Sequence, residues 1–149
     1  MKKIVDYLKE ELVCFLTAAT HEEAIAALVD KLDEQNILQN RESFQQAILE
    51  RERLISTGIG MGVAIPHAKL PIQQDFFVAI GIQKHGIEWQ AIDGLPVTII
   101  FMVGGSEMQQ TQYLQLLSKI TMAIKDENRR KKMLQLNSAK EIVKLFQGV

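Results

Sequence analysis

The sequence predicts an α/β protein with a single domain, residues 1–149, built on a mixed central sheet of about five strands with helices on both faces. Segments with helical periodicity alternate with short apolar segments, and no linker-like, repetitive or low-complexity segment separates them. The apolar segments are nearly continuous, as in strands that are buried on both faces. A long helical tail follows the last of them and argues against a simple βαβ repeat, so strands of mixed direction are expected.

The composition and the net charge of the chain limit the functional classes to which the protein can belong. Hydrophobic residues make up 47 % of the 149 residues and charged residues 23 %, which are ordinary values for a globular protein with a buried core. The formal net charge of −1 gives no indication of binding to nucleic acid or to an anionic membrane. The longest strongly apolar run, residues 97–103, is too short to span a bilayer, and the N-terminus lacks the apolar core of a secretory signal. We therefore expect a cytoplasmic protein.

The first half of the chain contains one predicted strand and two predicted helices. The strand covers residues 12–16, where Cys14, the single cysteine, cannot form an intrachain disulfide and is expected in the core. The first helix begins at Thr20, because Thr20 and Glu23 have the spacing of a capping box. Its apolar face at helical spacing comprises Ala24, Ile25, Leu28, Val29 and Leu32. The second helix begins at residue 40 or 41 and ends near residue 53.

The remaining strands are predicted from their β-branched and aromatic content. Residues 63–65 form a short strand, and residues 76–82 and 97–103 form core strands. Residues 84–94 between them should contain turns and a short strand near residues 87–89.

Three helices are predicted after these strands. A long helix should start near Met108 and bury an apolar stripe that comprises Leu114, Leu117, Ile120, Met122 and Ile124. Asp126 is expected to cap a helix that ends near residue 136. Ser138 and Glu141 have the spacing of a capping box for the last helix.

A glycine-rich segment precedes the strand of residues 63–65. Gly58, Gly60 and Gly62 stand at alternate positions. Glycine adopts positive φ at little cost and lets the backbone approach a ligand closely, and successive free N–H groups suit an anion. The segment lacks the spacing and the lysine of a P-loop and the order of a dinucleotide-binding motif. A tight turn packed beneath a neighbouring functional residue is therefore an equally good interpretation of these glycines.

A histidine follows this strand directly after a proline. Pro66 fixes its own φ and biases the residue before it toward extended geometry, so His67 should be presented at a strand end. Arg51 lies upstream on the second predicted helix and can supply a fixed positive charge. An imidazole, a cation and a glycine-rich turn together suit phosphoryl chemistry. Taken alone, the structural interpretation is favoured for both residues: His67 would more often be structural than reactive, and Arg51 would pair on the helix surface with Glu50 or Glu52.

The other chemically capable side chains have ordinary structural interpretations. His21 falls in the first turn of a helix and His85 in a predicted turn beside Gly86, so both are expected on the surface. The basic run of residues 129–132 is interpreted as a solvated helix face. Four methionines, Met102, Met108, Met122 and Met133, are expected in core packing.

The segment of residues 51–67 resembles the active-site signature of the fructose/mannitol-type IIA components of the bacterial sugar phosphotransferase system. The string S-T-G-I-G-M-G-V-A-I-P-H and the preceding Arg51-Glu52 pair align with that signature without gaps. Weaker similarity extends over nearly the whole chain, through residues 21–25, 86–89, 93–97 and 114–117. The resemblance implies the α/β fold predicted above.

The resemblance also implies a function and a set of site residues. His67 would accept a phosphoryl group from the phosphocarrier protein HPr and pass it to a IIB protein or domain. Arg51 would stabilise the phosphoryl oxygens, and Thr57 with Gly58, Gly60 and Gly62 would bind or orient the group. No cofactor and no metal are expected.

Two departures from the family pattern stand out. The family usually carries a second histidine just before a Leu-x-x-Leu stretch, and Tyr113 occupies that position here; its hydroxyl can donate a hydrogen bond to His67 or to a phosphoryl oxygen but cannot become a cation. Met61 replaces a residue that is often asparagine.

A regulatory IIA-like module of the nitrogen-related type, whose phosphorylation state is read by a target protein, is the alternative function. A phosphate-ligand binding domain is a third.

Overall fold

The computed structural model describes residues 3–72 and 74–149, within which six strands and five α-helices are found. The strands are β1 (Val13–Phe15), β2 (Gly58–Gly60), β3 (Val63–Ala64), β4 (His67–Leu70), β5 (Phe77–Ile87) and β6 (Val97–Ser106). The helices are α1 (His21–Glu34), α2 (Arg41–Leu54), α3 (Gln110–Ile124), α4 (Glu127–Gln135) and α5 (Ala139–Lys144). Short 3-10 turns cover Ile4–Tyr7, Glu10–Leu12 and Glu107–Gln109.

The strands form one mixed sheet in the order β1-β5-β6-β3-β2, with β4 also paired to β6. The two long strands β5 and β6 are antiparallel, whereas β3 and β4 both run parallel to β6 along successive stretches of it. Val63 lies opposite Ile99, and His67 lies opposite Val103. The predicted mixed α/β fold is confirmed, with β2 and β4 as strands that the sequence did not predict.

Helices cover both faces of the sheet, as predicted. One apolar cluster joins α1 and α2 to one face, and a second joins α3, α4, α5 and the N-terminal turns to the other. The long strands contribute alternate residues to the two clusters: Ala79 belongs to the first, and Val78 and Ile80 belong to the second.

Helix starts follow the local capping signals. The side chains of Thr20, Asn40, Asp126 and Ser138 each accept a hydrogen bond from a backbone N–H in the first turn of the helix that follows. These side chains satisfy N–H groups that have no partner within the helix, so the four predicted boundaries are fixed by local chemistry.

Strand lengths differ from the prediction where glycines occur inside strands. Residues 84–87 continue β5 rather than forming a turn; the strand accommodates Gly86 at φ +83° within a shift of its register against β6. β6 continues through Gly104 and Gly105, where an added Cβ would overlap the rings of Phe77 and Phe76 respectively. These glycines mark close packing inside strands rather than chain turns.

The predicted buried stripe of α3 is confirmed at Ile120 and Ile124, is partly buried at Leu117, and is wrong at Leu114 and Met122. The buried residues are Tyr113, Leu116, Ile120, Ala123 and Ile124. Leu114 is 54 % exposed and Met122 is 64 % exposed, and Met108 before the helix is 83 % exposed. Because this helix has apolar residues on several sides, its buried face is set by the sheet it packs against rather than by its own pattern. That face places the polar hydroxyl of Tyr113 inside the protein.

Two further expectations about surface and core also require correction. Cys14 is only half-buried at the edge of a core cluster, where burial raises the pKa of its thiol. In the basic run, the guanidinium of Arg129 donates to the carbonyls of Ala123 and Leu145, and that of Arg130 donates to the Ile124 carbonyl. These two arginines therefore bind the C-terminal end of α3 instead of forming a purely solvated face.

In the described part of the chain, no helix has both the length and the apolar character needed to cross a bilayer.

Candidate active site around His67

His67 is the first residue of β4 and its ring is held in one tautomer by the backbone. Its Nδ1 lies 2.6 Å from the carbonyl oxygen of Ile65. Because a carbonyl oxygen only accepts hydrogen bonds, Nδ1 carries the proton, and the lone pair of the neutral ring is on Nε2. The adjoining Pro66 carbonyl accepts from the Val103 N–H at 3.0 Å, which ties this turn to the central strand β6.

The surroundings of His67 favour the neutral, nucleophilic ring. Burial lowers its pKa, and the hydrogen bond to Ile65 opposes that effect. The positive charges of Arg51 and Lys69 lower the pKa further, whereas the negative charge of Glu52 raises it. The net result is a pKa below the ordinary value of 6.5, so the ring is neutral near pH 7.

Arg51 stands near the C-terminal end of α2, as the sequence predicted. Its guanidinium donates to the carbonyl of Ile55 at 2.9 Å, which anchors one nitrogen and leaves further donors for a ligand. Its positive charge lowers the pKa of both His67 and Tyr113. Arg51 is therefore within electrostatic reach of both rings.

Tyr113 lies beside His67, where its position in the family pattern had placed it. The two ring centroids are 6.1 Å apart, and the tyrosine is 3 % exposed. Its hydroxyl is buried and has no hydrogen-bond partner among the described residues. Burial raises the pKa of this phenol far above its ordinary value, so the group is a neutral donor near its neighbour His67.

Lys69 is a component of the site that sequence reasoning missed. It follows His67 by two residues on β4, so the two side chains share one face of the strand. Its ammonium lies 5.6 Å from the centre of the Tyr113 ring and donates to the side chain of Gln110. The sequence pattern that could have revealed Lys69 is the alternation of side chains along a strand that begins after Pro66, which places residues 67 and 69 on the same face.

The glycine-rich segment forms a tight β-hairpin of β2 and β3. Gly60 and Gly62 have φ of +95° and +75°, and Met61 between them has φ +61°. Gly58 has no positive φ, but a Cβ there would lie 2.8 Å from the backbone of Ala91. The turn and the close packing therefore account for all three glycines in structural terms. Their binding or orienting of a phosphoryl group stays a prediction.

A buried polar network lies behind this hairpin. The hydroxyl of Thr57 donates to Glu52 Oε1 at 2.5 Å and accepts from Trp89 Nε1 at 3.1 Å. The other carboxylate oxygen of Glu52 is 3.3 Å from Nε2 of His21. The side chain of Glu52 is 5 % exposed, and Thr57 is 3 % exposed. The carboxylate thus joins α1, α2, the β2 hairpin and the loop after β5.

The expectation that His21 is a solvated surface residue is wrong. Its ring packs edge-on against Trp89 with centroids 4.2 Å apart, and its side chain is 22 % exposed. Burial lowers its pKa, but the carboxylates of Glu52 and Glu22 outweigh that effect and raise the pKa above 6.5. The contact depends on Trp89, which is distant in sequence, so helix position alone could not reveal it. His85 is exposed as expected, although it lies in β5 rather than in a turn.

Comparison with known proteins decides the family. The family model described as "Phosphoenolpyruvate-dependent sugar phosphotransferase system, EIIA 2" matches residues 6–149. The chain belongs to this family.

Relatives of this EIIA domain carry two kinds of name. The chain is 33 % identical over 145 residues to the PTS system fructose-specific EIIABC component of Bacillus subtilis, and the match covers 97 % of the chain but only 23 % of that relative's length. It is 32 % identical to the fructose-specific EIIA component of Haloferax volcanii, over 83 % of the chain and 80 % of the relative. It is also 32 % identical to a nitrogen regulatory protein of Bradyrhizobium diazoefficiens, over 70 % of the chain and 68 % of the relative.

Solved structures share the fold of the EIIA domain. Nitrogen regulatory protein IIA-Ntr from Neisseria meningitidis superposes with a TM-score of 0.89 at 23 % identity, covering 97 % of this chain and 99 % of that one. IIA mannitol from Escherichia coli superposes with a TM-score of 0.79 at 22 % identity, covering 93 % and 98 %. At these identities the likeness establishes the fold.

The opposite pKa shifts of two histidines are directly measurable. We expect the NMR titration midpoint of His67 to lie below 6.5, because burial and nearby cations favour the neutral ring. We expect the midpoint of His21 to lie above 6.5, because the Glu52 carboxylate favours the imidazolium. The variants His67→Asn and His21→Asn assign the signals, and a His67 midpoint above that of His21 would contradict the geometry.

The same shifts fix the sign of the pH dependence of stability. The pKa of His21 is raised on folding, so its contribution to the free energy of unfolding is complete below pH 6.5 and is lost as the pH rises through the folded-state value. The pKa of His67 is lowered on folding, so the protein loses stability as the pH falls from 6.5 through the folded-state value. His21→Asn and His67→Asn should each remove the pH dependence that the replaced histidine contributes to the free energy of unfolding.

Proposed function

We propose that this EIIA domain is a phosphoryl carrier of the sugar phosphotransferase system, which accepts phosphate from HPr phosphohistidine on His67 and passes it to a IIB component. The observation that carries the proposal is the hydrogen bond from Nδ1 to the Ile65 carbonyl, which leaves the Nε2 lone pair for attack. A phosphotransferase reaction of this kind would proceed in the cytoplasm, where soluble carriers meet.

The transfer step is balanced without a proton leaving the acceptor ring. Nε2 of His67 forms a bond to phosphorus while the phosphorus–nitrogen bond of the donor phosphohistidine breaks, and the electron pair of that bond stays on the donor imidazole. The His67 ring keeps its Nδ1 proton and gains positive character, which the Ile65 carbonyl stabilises. The reverse of these roles passes the phosphoryl group to the IIB acceptor.

Side chains around His67 would stabilise the charge on the phosphoryl oxygens. The guanidinium of Arg51 supplies planar donors that match phosphate oxygens, and the Tyr113 hydroxyl supplies a neutral donor. Thr57, Gly58, Gly60 and Gly62 would orient the group indirectly, by shaping the hairpin that packs beside residues 63–67. Positioning and charge stabilisation are the contributions that phosphoryl transfer needs most from a protein.

Exposed apolar side chains offer a docking rim for the two protein partners. Leu54, the last residue of the helix that carries Arg51, is 81 % exposed, and Ile55, which follows it, is 64 % exposed. Met108 and Leu114 are 83 % and 54 % exposed, at the start of the helix that carries Tyr113. A solved structure titled as a complex of enzyme IIA mannitol with phosphorylated enzyme IIB mannitol from Escherichia coli supports a IIB partner. Contact of this type is expected to be small and transient.

The similarity to nitrogen regulatory proteins favours a second candidate function. In that role the phosphorylation state of His67 would be read by a target protein and no sugar would be transported. Relatives named as nitrogen regulatory proteins or a homolog of them match the chain at 32 % to 34 % identity. Chase of the phosphorylated domain with purified IIB proteins separates the two: rapid loss of the label to a IIB supports the carrier, whereas retention supports the regulatory module.

Phosphorylation of His67 tests the proposed function directly. Incubation with phosphoenolpyruvate, enzyme I and HPr should add one phosphate that is labile in acid and stable in base, as expected of a phosphoramidate. His67→Ala should abolish the labelling, and His85→Ala, which changes an exposed histidine, should leave it intact. Equal labelling of His67→Ala would overturn the proposal.

Arg51 should support transfer more than folding. If its guanidinium contacts the phosphoryl oxygens in the transition state, Arg51→Ala removes about 2–4 kcal/mol of stabilisation, which slows phosphorylation by ~30-fold or more. The thermal midpoint should change by only a few degrees, because the hydrogen bond to Ile55 is exposed. Arg53→Ala on the same helix is the matched control. A normal transfer rate in Arg51→Ala would assign this arginine to the surface.

Tyr113→Phe should change stability and activity in opposite directions. A buried hydroxyl without a partner destabilises the unphosphorylated fold, so its removal should raise the free energy of unfolding by about 1 kcal/mol. If the hydroxyl donates to the phosphoryl group, the same variant should transfer phosphate roughly 2- to 12-fold more slowly. Chemical denaturation and transfer kinetics measure the two effects. A variant with lowered stability and an unchanged rate would show that the hydroxyl serves the fold.

A further inference from the structure

We propose that Glu52 is a positioning residue for His67, which acts through Thr57 and the backbone of Ile65 to hold the imidazole in its nucleophilic tautomer. The proposal rests on the function assigned to His67 above. It adds a second layer to the site, formed by the buried network behind the glycine hairpin.

The network is built around a carboxylate. Glu52 is almost fully buried, and each of its oxygens faces a specific partner: the Thr57 hydroxyl on one side and the His21 ring on the other. The Thr57 hydroxyl uses its donor on Glu52 and accepts from Trp89, so its orientation is fixed. A buried carboxylate is costly unless it is paired and hydrogen-bonded, which this arrangement achieves.

A short chain of hydrogen bonds connects the network to the reactive ring. The carbonyl of Thr57 accepts from the N–H of Ile65 at 3.0 Å. The carbonyl of Ile65 in turn accepts from Nδ1 of His67 at 2.6 Å. The side chain of Thr57 is fixed by Glu52 and its backbone fixes Ile65, so a displacement of Thr57 would move the carbonyl that sets the His67 tautomer.

Glu52 also acts on His67 through its charge. Its carboxylate raises the pKa of His67, against the lowering by burial, Arg51 and Lys69. A carboxylate that served the fold alone would affect stability without altering the titration or the tautomer of His67 in a folded variant. These two observables therefore separate positioning from a purely structural role.

Three variants test the positioning role. Glu52→Gln keeps the shape and can still accept from Thr57, but it removes the charge; we expect the NMR titration midpoint of His67 to fall. Thr57→Val removes the hydroxyl; we expect a loss of the single Nδ1–H tautomer and a kcat for phosphoryl transfer from HPr that is lower by about 5- to 100-fold, with little change in KM. Thr57→Ser restores the hydroxyl and should rescue both.

Glu50→Gln is the matched control, because it removes an equal charge from an exposed position on the same helix. It should leave the His67 midpoint and the transfer rate unchanged. An unchanged midpoint in folded Glu52→Gln, or an unchanged tautomer and kcat in folded Thr57→Val, would overturn the proposal. If Thr57→Val does not fold, the NMR titration midpoint of His67 in the isosteric Glu52→Gln decides: a lowered midpoint supports the proposal and an unchanged one overturns it.

Failure of the proposed function has a different signature. In that case wild-type His67 would not accept phosphate from HPr, while the midpoint shift in Glu52→Gln and the tautomer change in Thr57→Val would still be seen by NMR. Transfer by the wild-type domain with no NMR response in the variants would instead remove the role of Glu52 and leave the carrier function intact.

Discussion

The site depends on an interruption of parallel strand pairing at Pro66. The pairs Ala64–Ile100 and His67–Val103 are separated by three residues on both strands, so β3 and β4 keep one continuous register against β6. Proline has no N–H to donate, and it separates the two short strands without shifting that register. The carbonyl of Ile65, directly before this proline, accepts a hydrogen bond from the His67 ring. The acceptor that orients the nucleophile therefore lies at a fixed point of the sheet, directly before the proline that separates β3 from β4.

The groups around His67 shift the pKa of its ring in opposite directions, so their effects partly cancel. Burial and two cations lower the pKa of the ring, which keeps Nε2 unprotonated. The same surroundings would disfavour a phosphorylated ring that carries positive character, and the Ile65 carbonyl and the charge of Glu52 offset that effect. A carrier must both accept and release the phosphoryl group, so neither form of the ring can be stabilised far beyond the other. In the proposed carrier, Arg51 and Lys69 would stabilise the phosphoryl oxygens, whereas Glu52 would stabilise the positive character of the phosphorylated ring.

The sequence predicts best those features that local chemistry determines. Thr20, Asn40, Asp126 and Ser138 start helices because each side chain can satisfy the first turn by itself. His67 and Arg51 are identified by an ungapped motif that also encodes the hairpin and the proline. Features that depend on distant partners are missed. The His21 ring is buried because Trp89, far along the chain, packs against it, and β4 exists because β6 offers a free stretch of ladder. The inward face of α3 is likewise decided by the sheet, so the pattern of that helix placed Leu114 and Met122 on the wrong side.

Tyr113 illustrates how a feature that is unfavourable in the resting protein can be favourable for function. Its hydroxyl is buried without a hydrogen-bond partner among the described residues, and its ring centre lies 5.9 Å from that of Phe76 and 6.1 Å from that of His67. An unpaired donor at such a position raises the free energy of the unphosphorylated protein. In the proposed carrier, a phosphoryl oxygen on His67 would pair with this hydroxyl, so the effect of the hydroxyl would be expressed as a difference between the phosphorylated and unphosphorylated states. Only such differential stabilisation changes the transfer barrier, because an interaction made equally in both states cancels. A neutral phenol achieves this without adding to the positive charge that Arg51 and Lys69 already place beside the ring.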